Sequence, residues 1–173
     1  MLARLRNNDG FGLIELMMSM VMLNVGILAI VASFNSGQVA LRRASETSAA
    51  SVLADKQMEL YRALLYANIA LDSTSVATAN ANTVYAADPA YGASQVTVTC
   101  GSSPLDPECS AMRTTRGPDN RSYRVDTYIV VDQINVATLP VGRSVKRVTI
   151  VVRRSSDLRT LARVSSIFDP STG

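Results

Sequence analysis

The chain has no histidine and no tryptophan, and only two of its 173 residues are cysteines. Without histidine it lacks the side chain that most often binds metals and most often acts as a base near pH 7. The sequence also lacks a nucleophile–base pattern and a phosphate-binding glycine loop. The formal net charge of +3 is small beside the basic excess of nucleic-acid-binding domains. We therefore expect no catalytic residue, no metal site and no cofactor.

A long apolar run stands near the start of the chain. Three quarters of the positions from 11 to 34 are apolar, and Glu15 is the only charge among them. This length matches one membrane span, which needs about 20 mostly apolar residues. A secretory signal peptide is the alternative, but its apolar core has only about 7–15 residues. Arg4 and Arg6 precede the run and favour a cytoplasmic N-terminus.

Proline is absent from residues 1–88, so nothing in the sequence forces the helix to stop at the end of the apolar run. We expect one helix over residues 11–71, roughly 90 Å long at 1.5 Å per residue. Apolar residues spaced by three or four make its second half amphipathic and predict a stripe that faces a head domain. That stripe consists of Leu41, Ala44, Ser48, Val52, Met58, Leu60, Leu64 and Leu65.

The second half of the chain has the pattern of a sheet. Residues 72–94 are small and polar and predict a surface connection, with a turn at 88–92. Alternating apolar residues then predict strands at 95–100, 122–134, 144–154 and 160–168. Turn-like stretches at 140–142 and 155–157 separate the last three strands and favour an antiparallel meander. The predicted fold class is α+β, with the sheet packed on the second half of the long helix.

A glycine, a phenylalanine and a carboxylate mark the start of the apolar run, in the segment that contains Gly10, Phe11, Leu13, Ile14 and Glu15. This segment resembles the N-terminal signature of type IV pilins and type II secretion pseudopilins. In that family a prepilin peptidase cuts after the glycine, and the new N-terminal phenylalanine is usually methylated. The resemblance implies that Gly10 and Phe11 flank the cleavage site, that Phe11 is N-methylated, and that Glu15 is the signature carboxylate. It covers about residues 5–35.

Three later segments, 24–29, 145–152 and 159–163, resemble PilV-type minor pilins. Gly12 departs from the pattern, since many relatives have threonine there. The helix also lacks the proline that major pilins often carry, and this favours a minor component. The resemblance implies a pilin-like fold and a structural, non-enzymatic subunit of a type IV pilus-like filament. The alternatives are a type II secretion pseudopilin, or a DNA-uptake or adhesion pilin.

The resemblance also implies a domain layout and a set of partners. We expect a cytoplasmic leader at 1–10, a transmembrane or filament-core helix at 11–34 and an exported head at 35–173. Within the head we expect an amphipathic helix at 35–71, a connecting loop at 72–94 and a sheet at 95–173. The partners are other pilin subunits in a helical filament, the prepilin peptidase and methyltransferase, the inner-membrane assembly platform and the membrane itself. The protein is then first a single-pass inner-membrane protein with a cytoplasmic N-terminus, and later part of an extracellular filament.

Cleavage would leave a free α-amine on Phe11, and both this amine and Glu15 are costly in an apolar environment when unpaired. We expect Glu15 of one subunit to face the amine of the next, which neutralises both charges and fixes the axial register. The alternative is that Glu15 reaches the membrane interface or is protonated.

Cys100 and Cys109 lie close together in the exported part. Outside the cytoplasm we expect them to form a disulfide, with a stabilisation of about 2–3 kcal/mol in the chain-entropy model. A zinc site needs more ligands, and the spacing differs from a redox Cys-x-x-Cys.

Cations are concentrated at the end of the chain, from position 143 onward. We favour a solvated sheet face, on which lysine and arginine protect exposed strands, over a DNA-binding patch, because aromatic residues are not interleaved with the charges. The basic residues are Arg143, Lys146, Arg147, Arg153, Arg154, Arg159 and Arg163.

Overall fold

The computed structural model describes residues 12–101, 105–134 and 143–171. A long helix comes first, two short helices follow, and a sheet completes the chain. The elements in order are α1 (Leu13–Arg62), a 3-10 helix (Tyr66–Asn68), β1 (Leu71–Asp72), α2 (Ser73–Asn80), α3 (Thr83–Ala86), β2 (Thr97–Val98), β3 (Met112–Arg116), β4 (Ser122–Ile134), β5 (Arg143–Arg154) and β6 (Thr160–Phe168). The chain forms two compact units, and the boundary between them follows Arg43, within α1.

Helix α1 ends at Arg62, earlier than the predicted end at residue 71. The backbone that follows is held by Lys146 of β5, whose Nζ donates to the carbonyl oxygens of Tyr66 at 2.7 Å and Ile69 at 2.9 Å. The Tyr66 carbonyl also accepts from the Ile69 amide at 3.3 Å, in the turn of the 3-10 helix. Lys146 thus ties this turn to the sheet, where the sequence predicted a continuing α-helix. Burial lowers the pKa of Lys146. The predicted start of the helix, Phe11, lies outside the described residues.

The prediction of an apolar stripe on α1 is wrong for most of the residues it named. Met58 is the one buried residue among them, and Leu41 and Val52 are 72% and 52% exposed. The buried face lies beside the predicted one, and three of its seven residues are alanines. It consists of Ala49, Ala50, Leu53, Ala54, Gln57, Met58 and Tyr61. A prediction based on large apolar side chains misses these alanines, because alanine allows close approach without adding much hydrophobic area.

Residues 72–94 were predicted as a surface connection in the form of a loop. Most of them are not buried, but two short helices, α2 and α3, replace much of the predicted loop. Asp72 caps α2 and Asn82 caps α3, each by accepting hydrogen bonds from two backbone amides of the first helical turn. Val76 of α2 and Tyr85 of α3 are buried. The predicted turn at 88–92 is present, with the Tyr91 amide donating to the Asp88 carbonyl at 2.9 Å.

The predicted antiparallel meander is confirmed. Its strands β4, β5 and β6 pair in sequence order, and the sheet order is β3-β4-β5-β6. The sequence did not predict β3, a polar edge strand that pairs with the start of β4. The predicted strand at 95–100 shortens to β2, which pairs in parallel with β1. The turn at 155–157 is present, and the predicted turn at 140–142 lies outside the described residues.

Both faces of the sheet are buried at its centre. Val125 and Ile129 lie on one face, and Asp126 and Tyr128 alternate with them onto the other face; all four are at most 1% exposed. Tyr85 of α3 covers the second face, with its ring stacked on that of Tyr128 at a centroid distance of 4.3 Å. The second face is therefore a core surface, whereas the sequence predicted solvent there.

Candidate functional site

The first part of α1 presents an apolar surface. Every residue from 12 to 45 is exposed. The large apolar residues between Leu13 and Phe34 each have 50–80% of their surface exposed. Within the described residues, α1 is also the one helix long and apolar enough to cross a membrane by length and composition. An apolar surface of this extent needs a lipid or protein partner.

Glu15 is the one charge in this apolar segment, and it lies in the first turn of α1. Its amide donates to the Gly12 carbonyl at 3.0 Å, and a carboxylate so close to a helix N-terminus is favoured by the helix dipole. The polar side chains that follow are satisfied within the helix: Ser19 donates to the Glu15 carbonyl at 2.8 Å and Asn24 to the Met20 carbonyl at 2.9 Å. Among the described residues, no hydrogen bond or ion pair engages the Glu15 carboxylate.

Gly10 and Phe11, the predicted cleavage and methylation residues, lie outside the described residues. Their roles and the pairing of Glu15 therefore stay predictions. Among the residues that the structure describes, no group of three or more histidine, cysteine, aspartate or glutamate side chains is placed to hold a metal ion.

Cys100 and Cys109 are joined by a disulfide, as predicted, with their Cα atoms 6.5 Å apart. Asp72 holds both ends of the bridged segment. Its Oδ1 accepts from the Cys100 amide at 3.1 Å, and its own amide donates to the Cys109 carbonyl at 2.8 Å. Hydrogen bonds lower the pKa of Asp72. The bond from the Thr74 hydroxyl has the largest effect, and the bonds from the amides of Ser75 and Cys100 come next. Asp72 thus caps α2 and holds Cys100 with its carboxylate, and it holds Cys109 with its backbone amide.

Helix α1 supplies a second set of hydrogen bonds to this segment. Gln57 donates to the Pro107 carbonyl at 2.8 Å, and the Tyr61 hydroxyl donates to the Glu108 carbonyl at 2.6 Å. Burial raises the pKa of Tyr61, so the hydroxyl stays protonated and keeps its donor role. The sequence analysis missed Gln57 and Tyr61; their spacing of four from each other and from Leu53 is the signal that places them on the buried face.

The cations from position 143 onward are mostly engaged in contacts. Lys146 and Arg153 are 8% and 7% exposed, so the predicted solvated face is wrong for them. Arg153 Nε donates to Asp126 at 2.9 Å, and its NH2 pairs with Asp88. Burial acts to lower the pKa of Arg153, but the hydrogen bond and charge of Asp126 and the charge of Asp88 outweigh it and raise the pKa.

Three further arginines in this region also pair with carboxylates. Arg147 pairs with Asp132, Arg154 with Glu46 and Asp157, and Arg163 with Asp88. This pairing reduces the positive charge that the region presents to solvent, and it weakens the interpretation of a DNA-binding patch.

One comparison with known proteins gives a match. The family model described as the prokaryotic N-terminal methylation motif matches residues 5–31. No curated protein and no solved structure matches the chain. The match supports a prepilin of the type IV pilin and pseudopilin kind. Such a motif implies a structural protein that a prepilin peptidase processes and that assembles into a pilin filament. The long apolar helix and the four-stranded antiparallel sheet form a pilin-like α+β arrangement that agrees with it.

Proposed function

We propose that this chain is a minor structural subunit of a type IV pilus-like filament. The observation that carries the proposal is the methylation motif at residues 5–31, which runs into an exposed apolar helix with one charge, Glu15. Cleavage between Gly10 and Phe11 removes the leader, residues 1–10, and Phe11 is then N-methylated. Residues 11–34 anchor the subunit in the inner membrane and later form the filament core, while residues 35–173 form the exported head. The subunit carries out no chemistry of its own.

Glu15 has a physical role in this proposal. Its carboxylate has no partner among the described residues, and it lies in the first helical turn, shortly after Phe11. When helices pack in a filament, the new amine of a neighbouring subunit supplies the missing opposite charge. Because the apolar surroundings make each isolated charge costly, the pair forms in one axial register and disfavours the others.

A type II secretion pseudopilin shares the same motif and helix. The segments that resemble PilV-type minor pilins support the pilus assignment, and deletion of the gene separates the two. Loss of surface pili with normal secretion supports the pilus subunit, whereas loss of secretion with normal pili supports the pseudopilin.

Processing is the direct test of the prepilin assignment. The full-length chain is expressed with and without a prepilin peptidase, and intact mass and N-terminal sequencing define the mature end. We expect a methylated Phe11 N-terminus only with the peptidase, and retention of residues 1–10 in Gly10→Val. Gly26→Ala is the matched control, because a Cβ at Gly26 meets no atom within 4 Å, and it should be processed normally. Retention of the leader by the unmodified chain in the presence of the peptidase would contradict the assignment.

A further inference from the structure

A short segment, residues 88–92, is fixed against the second face of the sheet. Asp88 holds it there: its Oδ1 accepts from the Ala90 amide at 2.9 Å, and its Oδ2 accepts from Arg163 at 2.8 Å and from Arg153. At the far end Gly92 lies so close to Val130 that a Cβ would overlap the valine side chain. The segment is therefore a fixed wall beside the sheet.

A pocket of about 430 Å³ lies between this wall and the sheet. Its volume is within the range of small-molecule sites, about 300–1,000 Å³. Tyr91 and Val130 contribute ring and apolar surface, and the polar lining comes from Arg147, Thr149, Arg163 and Ser165.

The register of β5 and β6 arranges these polar groups. Thr149 pairs with Ser165, and their hydroxyl oxygens lie 3.0 Å apart in a hydrogen bond. Arg147 precedes Thr149 by two residues and Arg163 precedes Ser165 by two, so all four share one face. Because β5 and β6 are antiparallel, the arginines lie on opposite sides of the hydroxyl pair. Two hydroxyls between two guanidinium groups match an anionic ligand that also carries hydroxyl groups.

The charge balance beside the pocket favours an anion. Three arginines, Arg124, Arg153 and Arg163, share the two carboxylates of Asp88 and Asp126, which leaves one positive charge in excess. The Arg124 and Arg153 side chains are 9% and 8% exposed, whereas that of Arg163 is 38% exposed and lines the pocket. The remaining cation, Arg147, is balanced by Asp132 at 2.9 Å. The excess charge therefore faces the pocket at Arg163.

We propose that this pocket binds a small oxyanion, a carboxylate or a phosphate ester, carried on a hydroxyl-bearing body. Arg163, which carries the excess charge, binds the oxyanion. The hydroxyl pair of Thr149 and Ser165 bonds to a hydroxyl of the ligand, and Arg147 donates to a hydroxyl oxygen beyond that pair. The inference does not depend on the proposed function, because it rests on the head alone and its test involves neither processing nor assembly.

Calorimetric titration of the full-length chain in neutral detergent tests the pocket with glucuronate, glucose 6-phosphate and glucose. We expect saturable binding of at least one charged probe, no binding of glucose, and weaker binding as salt rises. The comparison of the two charged probes tells a carboxylate site from a phosphate site. Binding of glucose as tight as that of the charged probes, or no binding of either charged probe, would overturn the proposal.

Variants locate the binding. Arg163→Gln should weaken it at least tenfold. Arg147→Gln and Ser165→Ala should each weaken it severalfold, and Ser165→Ala leaves every arginine–carboxylate pair in place. Arg116→Gln, the same charge change on the opposite edge strand β3, should leave it unchanged. An equal loss in Arg116→Gln, or full binding in both Arg147→Gln and Ser165→Ala, would refute the assignment even if Arg163→Gln fails to fold.

Discussion

At the scale of single residues, Asp126 has the largest predicted effect on stability. It is fully buried and accepts two hydrogen bonds from Arg124 and one from Arg153. Asp126→Ala leaves these guanidinium groups short of a counter-charge, and breaking a buried pair in this way costs about 3–5 kcal/mol. All six tyrosines lie between residues 61 and 128. Near-UV circular dichroism in urea therefore reports the unfolding of the second compact unit, which begins after Arg43.

The matched control for Asp126→Ala is Asp157→Ala. Asp157 also pairs with an arginine, Arg154 at 2.9 Å, but its side chain is 47% exposed. We expect a loss of no more than about 0.5 kcal/mol. Equal losses in the two variants would show that burial of the Asp126 pair is not what stabilises the fold.

Asp72 makes stability depend on pH. Hydrogen bonds from Thr74, Ser75 and Cys100 lower its pKa in the folded state, so its contribution is present above the unfolded-state pKa of about 3.9 and is lost as pH falls through the folded-state value. Asp72→Asn removes this titration. We expect a lower melting temperature than the parent at pH 7, by roughly 5 °C, and a smaller difference at pH 3. Parallel melting curves over this range would contradict the assignment.

At the scale of elements, the disulfide segment has more support than its sequence suggests. Asp72, Gln57 and Tyr61 hold the backbone on both sides of the bridge. Cys100→Ser/Cys109→Ser should therefore fold, with a loss of at most about 2–3 kcal/mol and faster proteolysis between residues 98 and 113. A non-reduced peptide map checks the bond itself.

Adding Tyr61→Phe to the double serine variant tests this shared support. Because both changes act on one segment, we expect their effects on the free energy of unfolding to be non-additive. Strict additivity, or two free thiols in protein recovered from the cell exterior, would contradict this account of the segment.

The elements that the sequence predicted well are those with a local signal. The meander follows from alternation within each strand, which needs no knowledge of the partner. By contrast, β3 is polar and gains its place by pairing with β4. The buried face of α1 mixes three alanines and Gln57 with its larger apolar residues, which weakens its signal in the sequence. Asp88 and Arg153 are 65 residues apart, so no local pattern reveals their contact. The same division holds for the candidate site: Glu15 belongs to a contiguous motif, whereas Asp72 and Tyr61 acquire their roles through tertiary contacts.

At the scale of the whole molecule, the predicted role of Glu15 belongs to the assembled filament. Glu15→Val makes the apolar segment more apolar, so membrane insertion and processing should continue. In the filament, however, the substitution leaves the Phe11 amine of a neighbouring subunit without its counter-charge. An unpaired charge in an apolar environment costs more than the free energy that corresponds to a factor of ten in an equilibrium constant. We therefore expect at least a tenfold lower share of this subunit in sheared filaments.

The control for this experiment lies in the same helix. Glu59 is exposed and pairs with Arg62 at 2.5 Å, so Glu59→Val makes the same chemical change outside the apolar segment and should leave incorporation near the parental level. Immunoblots of sheared filaments and of membranes, normalised to the mature protein, give the share of each variant. Incorporation of Glu15→Val at the parental level would contradict the proposed pairing of Glu15 with the amine. A charge that can be removed without effect does not set the register of a filament. A low yield of both variants would indicate that the long helix itself, rather than one carboxylate near its start, is sensitive to substitution.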